Sequence, residues 1–175
     1  MIAVITGTHP RYRFDRLRDA LRVIAKSNPG EQIVLQGPHA EDSSRNLVSV
    51  GILGRDEILS ICKDARAILT HGGTGALALS RAAGSTPILV PRDPRHGEVI
   101  DSHQLEFAKH LANAKRAVVC WDPWDLPLNL EVYIAKAEAI PVSSHESVHR
   151  ARHVAGNINR ILFQDQRSPD IETGT

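Results

Sequence analysis

The stretch AILTHGGTGALALSRAAG, residues 67–84, decides the fold. It opens with a short apolar run, continues through Gly72, Gly73 and Gly75, and ends as a helix-like run closed by Gly84. This order predicts a buried strand, a glycine loop and a helix whose first amide groups lack partners within the helix. Such a turn can bind an anion. The glycines can equally serve a tight turn and close packing of the helix on a sheet, so both interpretations stay open.

Apolar runs and helix-like segments alternate along the rest of the chain. Most of the apolar runs are too continuous for a half-exposed sheet, which indicates strands buried on both faces. We therefore predict an α/β fold, a single Rossmann-like domain with a parallel sheet. The predicted strands are residues 2–6, 32–36, 47–50, 67–70, 87–90 and 117–121. The predicted helices contain the stripe Phe14, Leu17, Leu21 and Ile24 and the segments DEILSICKDA, ALALSRAAG and SHQLEFAKHLANA.

Length and composition predict one domain. The chain has 175 residues, of which 42% are hydrophobic. We expect the domain to span residues 1–163, with an amphipathic helix at 144–163 and a polar tail at 164–175. Lys and Arg number 21 against 20 for Asp and Glu, a balance that gives no basis for nucleic-acid binding. Cys62 and Cys120 lack metal-site spacing, and no signal or membrane-spanning segment is visible, so we expect reduced thiols and a cytoplasmic protein.

Two glycine-bearing loops are expected at one edge of the sheet. In the commonest order of a doubly wound sheet, the first and fourth strands flank the ligand crevice. The segments TGTH (6–9) and THGGTG (70–75) would then face each other. Thr8, Thr74 and the amides of residues 73–76 can donate hydrogen bonds to a pyrophosphate. Neither loop matches the P-loop or GxGxxG patterns, which argues against a P-loop ATPase or a typical NAD dehydrogenase.

The loop PRDPRHGEVIDSHQ (91–104) follows the fifth predicted strand at the same edge. Asp101 and Gln104 have the spacing of a capping box, which needs no ligand. Alternatively, His103 and Gln104 hydrogen-bond a sugar or a phosphate. Glu98 is expected to be a solvated loop acid, with ribose or hexose recognition as the less favoured alternative.

A zinc-like motif lies near the end of the chain. HESVH (145–149), followed by His153, has the spacing of a metalloprotease helix. The same segment reads as an amphipathic helix capped by Ser144, with an apolar stripe opposite the histidines. The second interpretation is favoured, and we expect no metal site.

The combined pattern resembles a known family. A glycine loop after strand four, followed by VPR, GE and DSHQ, resembles the carboxyl half of GT-B glycosyltransferases. The resemblance is to the C-terminal domain of glycosyltransferase family 28. Residues 2–115 resemble more closely the donor-binding subunits of two-subunit enzymes, on the segments VITGTHPRYRFDRL and THGGTGALALSRAAG. Those enzymes are the UDP-GlcNAc transferase that makes dolichol-linked chitobiose, whose donor subunit is soluble, and bacterial exopolysaccharide transferases for glucuronic acid or galactose.

The resemblance implies roles for particular residues. His103 and Gln104 would lie near the sugar, and the backbone of residues 53–55 would contact uracil. Many relatives grip the ribose with a glutamate where this chain has Leu79, which leaves that role to another group such as Glu98. The residues implied at the donor diphosphate are Gly7, Thr8, His71, Gly72, Gly73, Thr74 and Gly75. For His71 the alternative is a histidine at the strand end that hydrogen-bonds the backbone.

The implied function is transfer of a hexose from a UDP-sugar to a lipid-linked saccharide, with no cofactor or metal. The general base would come from a membrane-anchored, acceptor-binding partner, and His9 is the candidate within this chain. The protein would then be peripheral at the inner membrane face. The helix at 144–163 would dock the partner or complete this domain, and arginines 11, 13, 16, 18 and 22 would attract lipid headgroups or form a solvated face. The alternative function is a non-catalytic nucleotide-binding or regulatory module.

Overall fold

Six parallel strands form the sheet in the computed structural model, which describes residues 1–39 and 44–142. Their order is β3-β2-β1-β4-β5-β6, and every neighbouring pair is parallel. The predicted α/β fold is confirmed, and the first and fourth strands are neighbours as the prediction assumed. The strands are β1 Ile2–Ile5, β2 Ile33–Gln36, β3 Leu47–Gly51, β4 Ala67–Thr70, β5 Ile88–Leu89 and β6 Val118–Val119.

Five α-helices connect and cover the strands within these ranges. They are α1 Asp15–Ser27, α2 Arg55–Asp64, α3 Thr74–Ala82, α4 His103–Asn113 and α5 Leu126–Glu138. The sequence patterns predicted the first four and missed α5. Pro123 and Pro127 made this segment look like a loop. Pro127 nevertheless lies in the first turn of α5, where a helix needs no backbone N–H donor.

Both faces of the sheet are covered, which explains the continuously apolar strands. Ile2 and Val4 of β1 pack with α1 and α5 on one face, while Ala3 and Ile5 pack with α2 and α3 on the other. Because side chains alternate along a strand, a central strand between two helical layers has no exposed side.

The outer strands β5 and β6 are shorter than predicted. Ladder-like hydrogen bonds nevertheless continue past both, from Val90 N to Thr70 O at 2.8 Å and from Cys120 N to Leu89 O at 2.8 Å. The difference is therefore one of strand boundaries, and the chain still follows the predicted course.

The sequence predictions for residues 143–175 lie outside the described residues. They concern the helix at 144–163, the tail at 164–175 and the HESVH motif. Within the described ranges, no helix combines the length and apolar character needed to cross a bilayer. Cys62 and Cys120 are buried free thiols, and burial raises their pKa values to about 12 and about 11.

Candidate functional site

A cleft of about 540 Å³ opens at the carboxyl edge of the sheet, where β1, β2 and β4 end. Its walls come from the loop after β1, the start of α3 and the loop between β5 and α4. The lining includes most of the residues that the sequence assigned to a ligand: Gly7, Thr8, His9, His71, Gly73, Gly75, Glu98 and Gln104. Segments distant in sequence thus meet in one concave site, as expected at a topological switch point.

The His71 ring is wedged between the two glycine loops. Its Nδ1 lies 3.1 Å from Ile5 O, at the end of β1. A Cβ atom on Gly73 would overlap the imidazole, and one on Gly7 would lie 3.0 Å from Nε2. Gly7 also has a φ of +89°, which other residues rarely adopt. These two glycines are therefore required by the fold itself, because they make room for the His71 ring.

His71 is held in its neutral form. Burial lowers its pKa to about 4, and the nearby positive charge of Arg92 acts in the same direction. Because a carbonyl only accepts, Nδ1 carries the proton that is donated to Ile5 O. Nε2 is then an acceptor, so the neutral ring shapes the cleft and cannot donate to a phosphate from Nε2.

The first turn of α3 contributes amides to the cleft. The helix starts at Thr74 after the N-cap Gly73, and its first N–H groups have no intrahelical acceptor. Gly75 lines the cleft, and a Cβ placed on it would have no atom within 4 Å. Packing among the described residues therefore does not require a glycine there. A ligand approaching the first turn would require one.

Arg92 ties the walls of the cleft together. Its guanidinium donates to Thr6 O and Tyr12 O at 2.8 Å each and to Glu98 O at 3.0 Å. It also lies over the Phe14 ring, 5.0 Å from the centroid. Burial lowers the pKa of Arg92, while the Glu98 charge opposes that shift. The loop after β1 and the loop after β5 are thus fastened to one buried cation.

The expectation that Glu98 is a solvated loop acid is wrong. Only 3% of Glu98 is exposed. Its carboxylate accepts from Arg16 Nε at 2.9 Å and Nη2 at 2.8 Å, and from Asp93 N at 3.0 Å. The arginine supplies the charge that allows the carboxylate to be buried. Glu98 lines the cleft, but its carboxylate is already bound within the protein.

The predicted capping box at Asp101 and Gln104 is also wrong. The N-cap of α4 is Ser102, and Gln104 Oε1 accepts from Arg92 N at 3.3 Å. Asp101 Oδ1 accepts from His103 N at 3.1 Å and lies 2.8 Å from His103 Nδ1. The exposed Asp101 carboxylate raises the pKa of His103. The Gln104 side chain therefore binds the backbone at the end of the strand and does not cap the start of the helix.

Among the proposed ligand residues, Gly72, Thr74 and His103 are not part of the lining, nor is the backbone of residues 53–55. Leu79, the position at which the sequence resemblance implied a ribose-binding glutamate in relatives, does line the cleft. His9 lines it too, and its Nδ1 accepts from Arg11 N at 3.2 Å. In a neutral ring Nε2 then carries the proton, so His9 offers a donor to a phosphate more readily than a base.

The arginines after β1 do not form a free basic face. Arg16 pairs with Glu98, Arg18 is buried, and Arg13 and Arg22 pair with Asp15 and Asp19. Arg16 and Arg18 therefore add little to a basic surface, whereas Arg13 and Arg22 remain about half exposed within their ion pairs.

Sequence reasoning missed three residues that build the site: Arg16, Gln36 and Arg92. Arg16 and Arg92 act through partners far away in sequence, so only the folded chain reveals them. Gln36 had a local signal, because it is a polar residue closing an apolar strand at the edge of the sheet where ligands bind.

The fold is that of the C-terminal half of a GT-B glycosyltransferase. The glycosyltransferase family 28 C-terminal domain matches residues 4–157, and the chain belongs to that family. A search of curated proteins finds no match.

Three solved structures that share the fold are glycosyltransferases. The kitacinnamycin glycotransferase superposes with a TM-score of 0.55 at 17% identity, over 92% of this chain and 43% of its own. CalG4, the calicheamicin glycosyltransferase, gives 0.52 at 18% identity, over 79% and 37% of the two chains. MurG from Acinetobacter baumannii gives 0.51 at 16% identity, over 80% and 44%. The chain thus spans less than half the length of each of these proteins.

Proposed function

We propose that this protein is the donor-binding subunit of a two-component glycosyltransferase that moves a hexose from a UDP-sugar to a lipid-linked saccharide. The observation that carries the proposal is the first turn of α3. Its amides lack intrahelical acceptors, and Gly75 leaves that turn open to the cleft although no neighbour among the described residues requires a glycine. A helix start with free amides and no side chain in front of them is suited to binding a diphosphate.

The residues act on the leaving group. As the bond between the anomeric carbon and the diphosphate breaks, negative charge grows on the phosphate oxygens. The α3 amides and the hydroxyl of Thr8 supply fixed donors for that charge, which is the part that a divalent cation plays in other transferases. We therefore propose transfer without a metal or cofactor. Gln104 and the loop before α4 would contact the sugar.

The acceptor site and the general base belong to a second domain. The cleft is bounded by one α/β domain within the described residues, and the structural neighbours are more than twice as long as their matched part. The resemblance to donor-binding subunits supports a separate, membrane-anchored partner. The protein would then act at the cytoplasmic membrane face, in exopolysaccharide or glycan assembly.

Nucleotide binding tests the donor assignment. Calorimetry in EDTA should show binding of UDP and of at least one UDP-sugar, with ADP and GDP binding more weakly. Equal affinity for all three nucleotides, or none, contradicts the UDP assignment. Binding of UDP without any preference for a UDP-sugar would indicate a regulatory module.

Transfer itself is tested by reconstitution. The purified chain alone should transfer no sugar to a lipid-linked acceptor, and membranes containing its partner should restore transfer. Robust transfer by the isolated chain refutes the two-component arrangement.

A further inference from the structure

Gln36 ends β2 with a buried carboxamide in the wall of the cleft. It is 3% exposed, and among the described residues neither Nε2 nor Oε1 has a hydrogen-bond partner. An amide buried without partners costs free energy, because its hydrogen bonds to water are lost and not replaced. Such a group in a binding cleft therefore needs an explanation.

The backbone fixes where this carboxamide lies. Thr6 N and Thr6 Oγ1 both donate to Gln36 O, at 3.0 and 2.9 Å. Gln36 is in register with Ile5, whose side chain lies on the sheet face covered by α2 and α3. Paired residues of parallel strands point to the same face, so the Gln36 side chain is directed to that layer.

Apolar side chains line this side of the cleft. Besides Gln36, it is lined by Ile58 of α2 and by Ala76 and Leu79 of α3. Apolar side chains offer nothing to a phosphate, whereas they pack well against the faces of a nucleobase. The groups that suit a phosphate are the backbone amides at the start of α3 and the loop after β1.

We propose that Gln36 recognises the pyrimidine base of the bound nucleotide through the imide edge of its ring. A carboxamide presents an N–H donor beside a carbonyl acceptor. The imide edge of uracil presents the complementary pair, with N3–H beside a carbonyl oxygen. The inference rests on the proposed function, since it identifies how the same cleft reads the base of its donor.

The test compares UDP with N3-methyl-UDP, which lacks the imide N–H, on the full chain and on Gln36→Met. The wild-type protein should bind the methylated nucleotide on the order of tenfold more weakly. Gln36→Met should bind both nucleotides alike, and its thermal stability should not fall, because the substitution removes an unpaired amide. Inorganic pyrophosphate should bind the two proteins equally.

A matched control lies on the neighbouring strand. The hydroxyl of Ser49 in β3 is also buried and has no partner among the described residues. Ser49 is, however, in register with Leu35 on the opposite sheet face and lies outside the cleft lining. Ser49→Ala should retain the wild-type penalty for methylation.

The inference is overturned if Gln36→Met keeps the full penalty for N3-methylation, since the two changes would then be independent. If the wild-type protein binds no uridine nucleotide, the proposed function fails together with it. Should Gln36→Met not fold, NMR of the wild type decides. The Gln36 side-chain NH₂ signals should shift with UDP and not with pyrophosphate, and unchanged signals with UDP refute the contact.

Discussion

Arg16 and Glu98 are 82 residues apart in sequence and form a two-pronged ion pair at 2.9 and 2.8 Å. The arginine belongs to the first turns of α1, and the glutamate belongs to the loop that follows β5. The pair lies behind one wall of the cleft, beside the buried guanidinium of Arg92, which donates to backbone carbonyls of the loop before α1 and of the loop after β5.

Replacing Arg16 with Ala should destabilise the protein by about 3 kcal/mol, because the buried Glu98 carboxylate loses its countercharge. The side chains of Arg16 and Glu98 are only 18% and 4% exposed. Arg13→Ala is the control, since Arg13 and its partner Asp15 are 45% and 61% exposed. That change should cost no more than about 1 kcal/mol. Urea unfolding measures both, and equal losses would contradict a buried, stabilising pair.

Gly75→Ala should separate stability from ligand binding. Alanine favours the helix by up to about 1 kcal/mol, and its methyl group meets no neighbouring atom within 4 Å. The melting temperature should hold or rise while UDP binds more weakly, because the methyl group occupies the approach to the α3 amides. Gly30→Ala is the control, since Gly30 is also uncrowded but lies outside the cleft lining. Undiminished UDP binding by Gly75→Ala would remove the main support for a phosphate site.

Gln104→Ala should weaken binding of a UDP-sugar more than binding of UDP. It should also lower stability by about 0.5–1.5 kcal/mol, because Arg92 N loses the Oε1 acceptor at 3.3 Å. Exposed Lys109 on the same helix provides the control substitution, Lys109→Ala. Thermal melts and calorimetry on one protein series separate the effects. A fall in stability with a constant ratio of the two affinities would mean that Gln104 acts only on Arg92.

Acidification should destabilise the protein through His71. Its pKa in the folded protein is about 4, against 6.5 for an ordinary histidine. The unfolded chain therefore binds more protons between these values, and stability is lost as the pH falls from 6.5 to 4. The loss is on the order of 3 kcal/mol. In His71→Asn, whose Nδ2 can replace Nδ1 as donor to Ile5 O, this part of the pH dependence should disappear. Identical pH profiles for the two proteins would show that His71 is not held neutral.

The fold was predictable because its signals are local. Each of the central strands is a run of buried residues, and the glycine loop at 72–75 marks the end of β4 at the position where ligands bind in such sheets. Helix α5 was not predicted because prolines usually indicate a loop, and Pro123 and Pro127 were not recognised as residues at the start of a helix.

The site was predictable only in part, because several of its residues depend on distant partners. Glu98 looked solvated, since nothing near it in sequence supplies a countercharge, and Arg16 does so only after folding. Asp101 and Gln104 had capping-box spacing, but Arg92 N competes for the Gln104 carbonyl. Motif spacing in the sequence therefore predicted where the cleft lies. The hydrogen-bond and ion-pair partners of its charged and amide side chains could be identified only from the folded structure.

The central position of β1 has a consequence for how the chain folds as it is made. Residues 2–5 are all buried between β2 and β4, and β4 begins only at Ala67. During synthesis, β1 can pair with β2 early, but its other edge stays open until β4 has left the ribosome. The nascent chain therefore carries an apolar, unpaired strand edge over that interval, when misassociation with other chains competes with folding.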